Sequence, residues 1–289
     1  MVDFLGLLLL GAFAGLTIFL GLPLAVIQSV DSKKKGFLNA IAIGILIFLI
    51  VDVFSHAWES ADETASSAVA GTASVGDALL ALFAMFGGIA IGLLGLTWYG
   101  TRYMKQSLVQ SPIVGSKMTG GSASAVGDKQ ELQLLQQVDP YRLSLVIAVG
   151  IGVHNFSEGL AIGQSYASGA IGLAMTLVVG FAAHNATEGF GIAAPLTGLS
   201  KRPRYRFMIL AGLVGGGPTF IGTAIGSLWT SAPVYILFLS IAGGALVYVT
   251  MLMYTAGRRQ VTNDILMIGF FVGLLAGFIT DLLVTLGGA

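Results

Sequence analysis

The sequence predicts an all-α, polytopic membrane protein with eight transmembrane helices, and three observations support this fold. Apolar residues make up 55% of the chain, charged residues 10%, and the mean hydropathy is +0.89, whereas soluble domains carry about 25% charged residues. Eight apolar stretches are long enough for membrane helices, which need roughly 20 residues each. The short alternating segments typical of membrane β-strands are not the pattern of this chain, so a helical bundle is favoured.

Polar or charged residues separate the eight stretches and set the predicted helix boundaries. In order, the helices are predicted at about residues 4–29, 37–57, 78–101, 141–166, 169–195, 206–229, 233–256 and 264–286. The first charge is Asp3 and no basic residue precedes the first stretch, so we expect a retained helix there and not a cleaved signal peptide. We expect residues 1–289 to form a single membrane domain, in which the 41 glycines allow close helix packing.

A polar linker at about residues 105–138 divides the predicted helices into three and five. Few residues join the fourth and fifth helices, around Ser168-Gly169, so these two are expected to be antiparallel neighbours. The resulting 3+2+3 order predicts an inverted repeat around the central helix pair. In proteins built this way, the functional site lies near the bilayer midplane at the repeat interface.

The charged residues predict the orientation of the chain in the membrane. All 14 lysines and arginines fall on one side of the predicted helices, and the positive-inside rule makes that side cytoplasmic. Both termini are then extracellular or periplasmic, and the long linker is cytoplasmic. The loop between the second and third helices, on the opposite side, has acidic residues and no base. We therefore expect a multi-pass protein of the cell membrane, with the lipid bilayer as a partner.

A six-residue pattern occurs twice, in the fourth and fifth predicted helices. The segment from His154 to Gly159 reads HNFSEG, and the segment from His184 to Gly189 reads HNATEG. A His and a Glu four residues apart lie on the same face of a helix. Two such helices side by side would direct two imidazoles and two carboxylates to one point near the middle of the membrane.

Ionised groups at that depth need compensation, because each costs about 2.5–3.5 kcal/mol on insertion scales. No lysine or arginine lies at mid-membrane to pair the two glutamates, whereas one divalent ion could balance both. Imidazole and carboxylate ligands suit Zn²⁺, Fe²⁺ and similar ions. The predicted metal-site residues are His154, Asn155, Glu158, His184, Asn185 and Glu188. The alternative to metal binding is hydrogen bonding between helices, which is the ordinary role of a single polar residue in a membrane helix. Ser157 and Thr187 are expected instead to bond to the backbone of their own helices.

A second set of polar residues is predicted to form an entrance on the outer side. Asp52, His56 and Glu59 share one face near the end of the second helix, and Asp281 lies toward the outer end of the eighth. An acidic mouth would concentrate cations. The alternative is a solvated helix end. Gly215 to Pro218 could break the sixth helix or permit tight packing, and we favour packing.

The two motifs resemble those of the ZIP (Zrt/Irt-like protein) metal-ion transporters. HNFSEGLAIG is similar to their fourth-helix signature, and HNATEGFGIA is similar to the fifth-helix motif of the branch whose two motifs are near copies. The resemblance implies an eight-helix transporter that moves divalent transition-metal ions inward, Zn²⁺ first and Fe²⁺, Mn²⁺, Cd²⁺ or Co²⁺ as alternatives. It also implies that His154, Glu158, His184 and Glu188 are the primary ligands, with the two asparagines beside them.

Two departures from the family pattern affect these expectations. Ser157 and Thr187 stand where that branch usually has proline, and Gly217 stands where the sixth helix often has a glutamate before Pro218. A single strong metal site is therefore expected, without a second. We expect no cofactor besides the transported ion and no nucleic-acid partner, and a homodimer is compatible with the sequence. An intramembrane metalloenzyme is the alternative, disfavoured because the HExxH pattern is absent, and a structural or receptor role is the third.

Overall fold

A computed structural model describes residues 3–27, 31–109, 139–228, 231–258 and 261–286, and nearly all of them are helical. The α-helices are α1 (Phe4–Leu16), α2 (Ser32–Val69), α3 (Val75–Val109), α4 (Pro140–Ala167), α5 (Ile171–Ala193), α6 (Tyr205–Gly226), α7 (Ala232–Gly257) and α8 (Asn263–Leu286). Short 3₁₀ turns follow α1, at Thr17–Leu20 and Leu22–Val26, and α5, at Ala194–Leu196. The predicted all-α class and the eight helices are confirmed. Most of the predicted linker, residues 110–138, lies outside the described residues.

Three helix boundaries differ from the sequence prediction. The third helix continues from the predicted end at residue 101 to Val109, and the other two differences have local reasons. The first stretch changes from α-helix to 3₁₀ turns after Leu16, in the part of the chain that contains Gly21 and Pro23, residues that disfavour a continuous helix. The second helix extends well beyond residue 57, to Val69, because the predicted loop is rich in alanine and glutamate, which favour helix. At its start, the Asp31 carboxylate caps α2 by accepting a hydrogen bond from the Lys34 amide at 2.7 Å.

Seven of the described helical segments are long and apolar enough to cross a membrane, which identifies a multi-pass membrane protein. The exception is α5, which is 23 residues long but carries His184, Asn185 and Glu188 in its second half. These three polar residues lower its mean hydropathy. The helix that looks least like a membrane span is therefore one of the two that carry the repeated motif.

The eight helices form two groups of four that pack against each other. One group consists of α1, α4, α5 and α6, and the other of α2, α3, α7 and α8. Contacts between the groups are made mainly by α4 with α7, and by α5 with α2 and α8. The motif helices α4 and α5 thus lie within the first group and face the second.

Four helix crossings are built in the same way, by reciprocal pairs of glycines. A methyl group on either glycine of a pair would lie 2.0–2.5 Å from a backbone carbonyl oxygen of the partner helix. That oxygen belongs to the residue three positions before the partner glycine. Only glycine permits so close an approach of two backbones. The pairs are Gly159 with Gly222, Gly189 with Gly21, Gly44 with Gly273, and Gly244 with Gly92.

These crossings confirm the inverted repeat. The first pair joins α4 to α6 and the second joins α5 to the turn after α1, while the third joins α2 to α8 and the fourth joins α7 to α3. Exchanging α1–α3 with α6–α8, and α4 with α5, maps each crossing onto another. The repeat therefore matches Gly21 to Gly222, Gly44 to Gly244, Gly92 to Gly273 and Gly159 to Gly189.

Candidate metal centre

The repeated motifs meet where α4 and α5 pack side by side. A tight turn containing Gly169, whose φ of +82° favours glycine, reverses the chain between the two helices. This turn lets His154 and Glu158 of α4 lie near His184 and Glu188 of α5. All four side chains are buried, with relative exposures between 1% and 9%.

The distances within this group suit a bound metal ion. The ligand atoms of His154, His184 and Glu188 all lie within 4.8 Å of one another. His154 Nε2 is 3.3 Å from Glu158 Oε1 and 3.5 Å from Glu188 Oε1. Ligands of a tetrahedral ion, each bound at about 2.0–2.2 Å, are themselves separated by about 3.4 Å. The contacts of His154 with the two glutamates already have this spacing.

Most of the nitrogen and oxygen atoms of these four side chains form no hydrogen bond within the described structure, although His154 contacts both glutamates. The atoms without a hydrogen bond include both ring nitrogens of His154, Nε2 of His184, Oε2 of Glu158 and both carboxylate oxygens of Glu188. No lysine or arginine is among the buried residues that the structure describes. Buried polar groups are ordinarily paired, and two close carboxylates in a low dielectric need neutralisation. A divalent cation would satisfy both requirements together.

The two asparagines have a different arrangement from that of the histidines and glutamates. Asn155 donates one hydrogen bond to Asn185 Oδ1 at 2.5 Å and another to the Gly215 carbonyl at 3.0 Å. Asn185 donates to the Ala14 carbonyl, also at 3.0 Å. Gly215 and Ala14 occupy matching positions in the inverted repeat. The asparagines therefore tie α4 to α6 and α5 to α1, while ligation of metal by their oxygens stays a prediction.

Ser157 and Thr187 bond to the backbone of their own helices, as predicted. The Ser157 hydroxyl donates to the His154 carbonyl at 2.6 Å, and the Thr187 hydroxyl donates to the His184 carbonyl at 2.7 Å. Such bonds to the preceding turn bend a helix slightly. Neither residue interrupts its helix, since α4 and α5 are continuous through both motifs.

A cavity of about 500 Å³ leads to this group from the end of the bundle that carries the acidic residues. Asp52, His56 and Asp281 line it together with His154, Glu158 and His184. His56 lies 3.5 Å from the Asp52 carboxylate and 3.7 Å from that of Glu59. The structure thus places three predicted entrance residues on one cavity and Glu59 beside them.

Other cavity residues were not identified from the sequence. Leu173, Leu177 and Phe181 of α5 and Tyr235 of α7 form part of the wall. The ring of Phe48 lies 6.0 Å from that of His184, so it supports this imidazole from α2. Isolated aromatic and aliphatic residues in apolar helices give no local signal of such positions.

The sixth helix is unbroken, as the packing interpretation predicted. It runs from Tyr205 to Gly226 with Pro218 in its interior, and Gly216 packs directly against the backbone of Gly15. A methyl group at Gly217 would meet no atom within 4 Å, so no atom of the buried donors is in contact with this position. The single-site expectation is compatible with this placement.

Comparison with known families gives one match. The family model described as ZIP Zinc transporter matches residues 111–285, more than half of the chain, including both motifs. No curated protein matches the chain.

Proposed function

This chain belongs to the ZIP zinc transporter family, and from that membership we propose that it carries Zn²⁺ into the cytoplasm through His154, Glu158, His184 and Glu188. The family establishes a divalent metal transporter in general. The choice of Zn²⁺, the inward direction and the four ligands are the parts that we propose. Fe²⁺, Mn²⁺, Cd²⁺ and Co²⁺ are alternative cargoes, because imidazole and carboxylate ligands suit several of these ions.

The observation that carries the proposal is the lack of hydrogen bonds at most of the buried nitrogen and oxygen atoms of the two motifs. Four side chains with complementary metal-binding chemistry converge within the helix bundle, and six of their eight nitrogen and oxygen atoms form no hydrogen bond there. Hydrogen bonding between helices, the alternative interpretation of polar residues in a membrane, describes the asparagines well. For the histidines and glutamates it accounts only for the contact of His154 with Glu188 and leaves six atoms without a hydrogen bond.

The inward direction is supported by the distribution of charge. The cavity opens at the end that carries acidic residues, and the positive-inside rule makes this end the outer one. Cations would collect near Asp52 and Asp281 and pass down the cavity to the buried donors, where the ligands replace their water. Movement of the helices would then open the same site inward. Extracellular termini follow from the same rule and stay a prediction, as does a homodimer.

Metal uptake by sealed proteoliposomes tests the proposal. Wild-type protein should accumulate Zn²⁺ in the lumen, and competition by the five candidate ions should rank their affinities. His184→Ala should lower uptake by at least about tenfold, because mutating even a hydrogen-bond partner of a metal ligand lowers metal affinity or activity by about 10–100-fold. Thr187→Val, which removes only a hydroxyl bonded to the backbone, is the control and should transport normally. Absence of flux in the wild type would support an enzyme or a receptor instead, and normal flux in His184→Ala would reject the ligand assignment.

A further inference from the structure

A second large cavity lies away from the metal route, at the end of the bundle that carries the basic residues. It has a volume of about 450 Å³ and is lined by residues of α2, α7 and α8. The lining is almost entirely apolar, and includes Ile43, Tyr254 and Phe270. Three of the lining residues, Met251, Tyr254 and Met267, are 43–64% exposed on the surface of the helix bundle that faces lipid. The cavity is therefore accessible from the bilayer.

The inverted repeat shows how this end of the bundle differs from the other. In the matching crevice at the other end, the Phe54 ring packs directly on Gly243 and fills the space. Their counterparts are Tyr254 and Ile43, which both line the cavity, and Tyr254 is 43% exposed. Consistently, α2 and α3 pack together, whereas their counterparts α7 and α8 make few contacts. A gap remains between α7 and α8, with α2 as its floor.

The surroundings of the cavity favour a phospholipid over a plain hydrocarbon. Lys33 lies two turns before Ala40 on the same face of α2, and Arg258 follows the lining residue Thr255 by one turn. With Lys34 and Lys35, these bases outnumber the two acids at the starts of α2 and α8, Asp31 and Asp264. Asp31 already contacts Lys34 at 3.9 Å. An anionic head group would be attracted to such a rim.

Thr250 provides a second, independent observation. It lines the cavity, it is only 6% exposed, and its hydroxyl has no hydrogen-bond partner. Thr250 lies seven residues before the end of α7 at Gly257, and this distance corresponds to about 10 Å along the helix axis. Phospholipid ester oxygens lie just below the head group, and rotation about χ1 would let the hydroxyl donate to one.

We propose that the cavity between α2, α7 and α8 binds an acyl chain of an anionic phospholipid, whose head group contacts Lys33–Lys35 and Arg258. The acyl chain would fill the gap between α7 and α8 and pack against both helices. This binding does not depend on metal transport, since the cavity lining shares no residue with the metal route.

Photo-crosslinking in phosphatidylcholine nanodiscs tests this proposal. The probes are phosphatidylglycerol and phosphatidylcholine, each with a diazirine on one acyl chain, and adducts are mapped by mass spectrometry. In the wild type, phosphatidylglycerol should label residues 250–255 and 266–270 about fivefold more than residues 79–83 of α3, which lie on the outer face of the bundle. At residues 250–255 and 266–270, labelling by phosphatidylglycerol should also exceed labelling by phosphatidylcholine by about fivefold. Equal labelling of the two regions would indicate only surrounding lipid and overturn the proposal, and equal labelling by the two lipids would overturn the anionic head group.

Two variants and a matched control complete the test. Met267→Trp narrows the mouth of the cavity at a half-exposed position, and Thr250→Phe fills its interior. Both should reduce labelling at 250–255 severalfold and leave labelling at 79–83 unchanged. Phe86→Trp, at the position on α3 that matches Met267, should leave both regions unchanged. If Met267→Trp folds and labels like the wild type, no acyl chain occupies the cavity.

Discussion

The two approaches to the buried histidines and glutamates share one backbone design but differ in their access to solvent. At the acidic end, Leu173 and Leu177 line an open cavity, and Leu173 is 47% exposed. Their counterparts in the inverted repeat, Leu143 and Ile147, are 6% and 0% exposed and belong to the core. The side chains on both paths are similar. Access is therefore decided by how the helix groups pack, and the site communicates with one end of the bundle in this structure.

The largest expected effect comes from comparing the two motifs themselves. Glu188 belongs to the compact group with both histidines, whereas Glu158 lies outside that group. We expect Glu188→Gln to lower Zn²⁺ uptake by about 100-fold or more and Glu158→Gln by about tenfold, judged by the cost of perturbing metal ligation. Initial rates in proteoliposomes measure both, with Thr187→Val as the control. Equal losses would show that the two carboxylates contribute equally.

The difference in access can be measured directly because the chain contains no cysteine. Leu177→Cys should react with a charged methanethiosulfonate reagent more than about tenfold faster than Ile147→Cys, since a buried thiol is inert. Mass spectrometry of the detergent-solubilised protein follows both rates, and the wild type should remain unlabelled. Similar rates would mean that the path from the basic end is also open.

The glycine crossings provide a test of the repeat. At Gly159 a methyl group would lie 2.2 Å from the Thr219 carbonyl oxygen, so Gly159→Ala should destabilise the protein by about 1–3 kcal/mol, the usual cost of overpacking. Gly189→Ala, at the matching position, should cost about the same. Gly87→Ala is the control, because a methyl group there meets no atom within 4 Å, and it should be neutral or stabilise by up to about 1 kcal/mol. Thermal unfolding in detergent compares the three, and a stable Gly159→Ala protein would contradict the close crossing.

The smallest effect is expected at the mouth of the open cavity. Asp281→Asn should lower the uptake rate at low ionic strength by about two- to fivefold, because it removes one of several charges that attract cations. The loss should shrink in high salt, whereas a loss caused by a damaged metal site would persist. Asp264→Asn, at the other end of α8, is the matched control and should transport like the wild type.

The fold was largely predictable because its signals are local. Hydropathy located the helices to within a few residues except at α1, α2 and the end of α3. Pro23 and the alanine-rich stretch after residue 57 changed the boundaries of α1 and α2, and α3 continues to Val109. The repeat of the outer helices also has a weak trace in the sequence, since Phe19-Leu20-Gly21 resembles Phe220-Ile221-Gly222. Three residues are too few for the match to be recognised before the crossings show which glycines correspond.

The candidate site was predictable in chemistry and only partly in geometry. The residue types, their spacing on a helix and the absence of a compensating base led to His154, Glu158, His184 and Glu188. Asn155 and Asn185 were grouped with them because each directly follows a motif histidine, yet their hydrogen bonds run to α6 and α1. Such partners depend on which helices come together, and the spacing within one helix contains no such information.

By itself, the sequence determined the membrane location, the eight helices and the candidate metal-binding side chains, because hydropathy and helical periodicity act over a few turns. Only the tertiary structure decided which glycines cross, which end of the bundle is open and where a gap between α7 and α8 is left for lipid. These features depend on distances between backbones that are far apart in the chain. The Phe54 ring covers Gly243, for example, whereas Ile43, the counterpart of this glycine, lines a cavity.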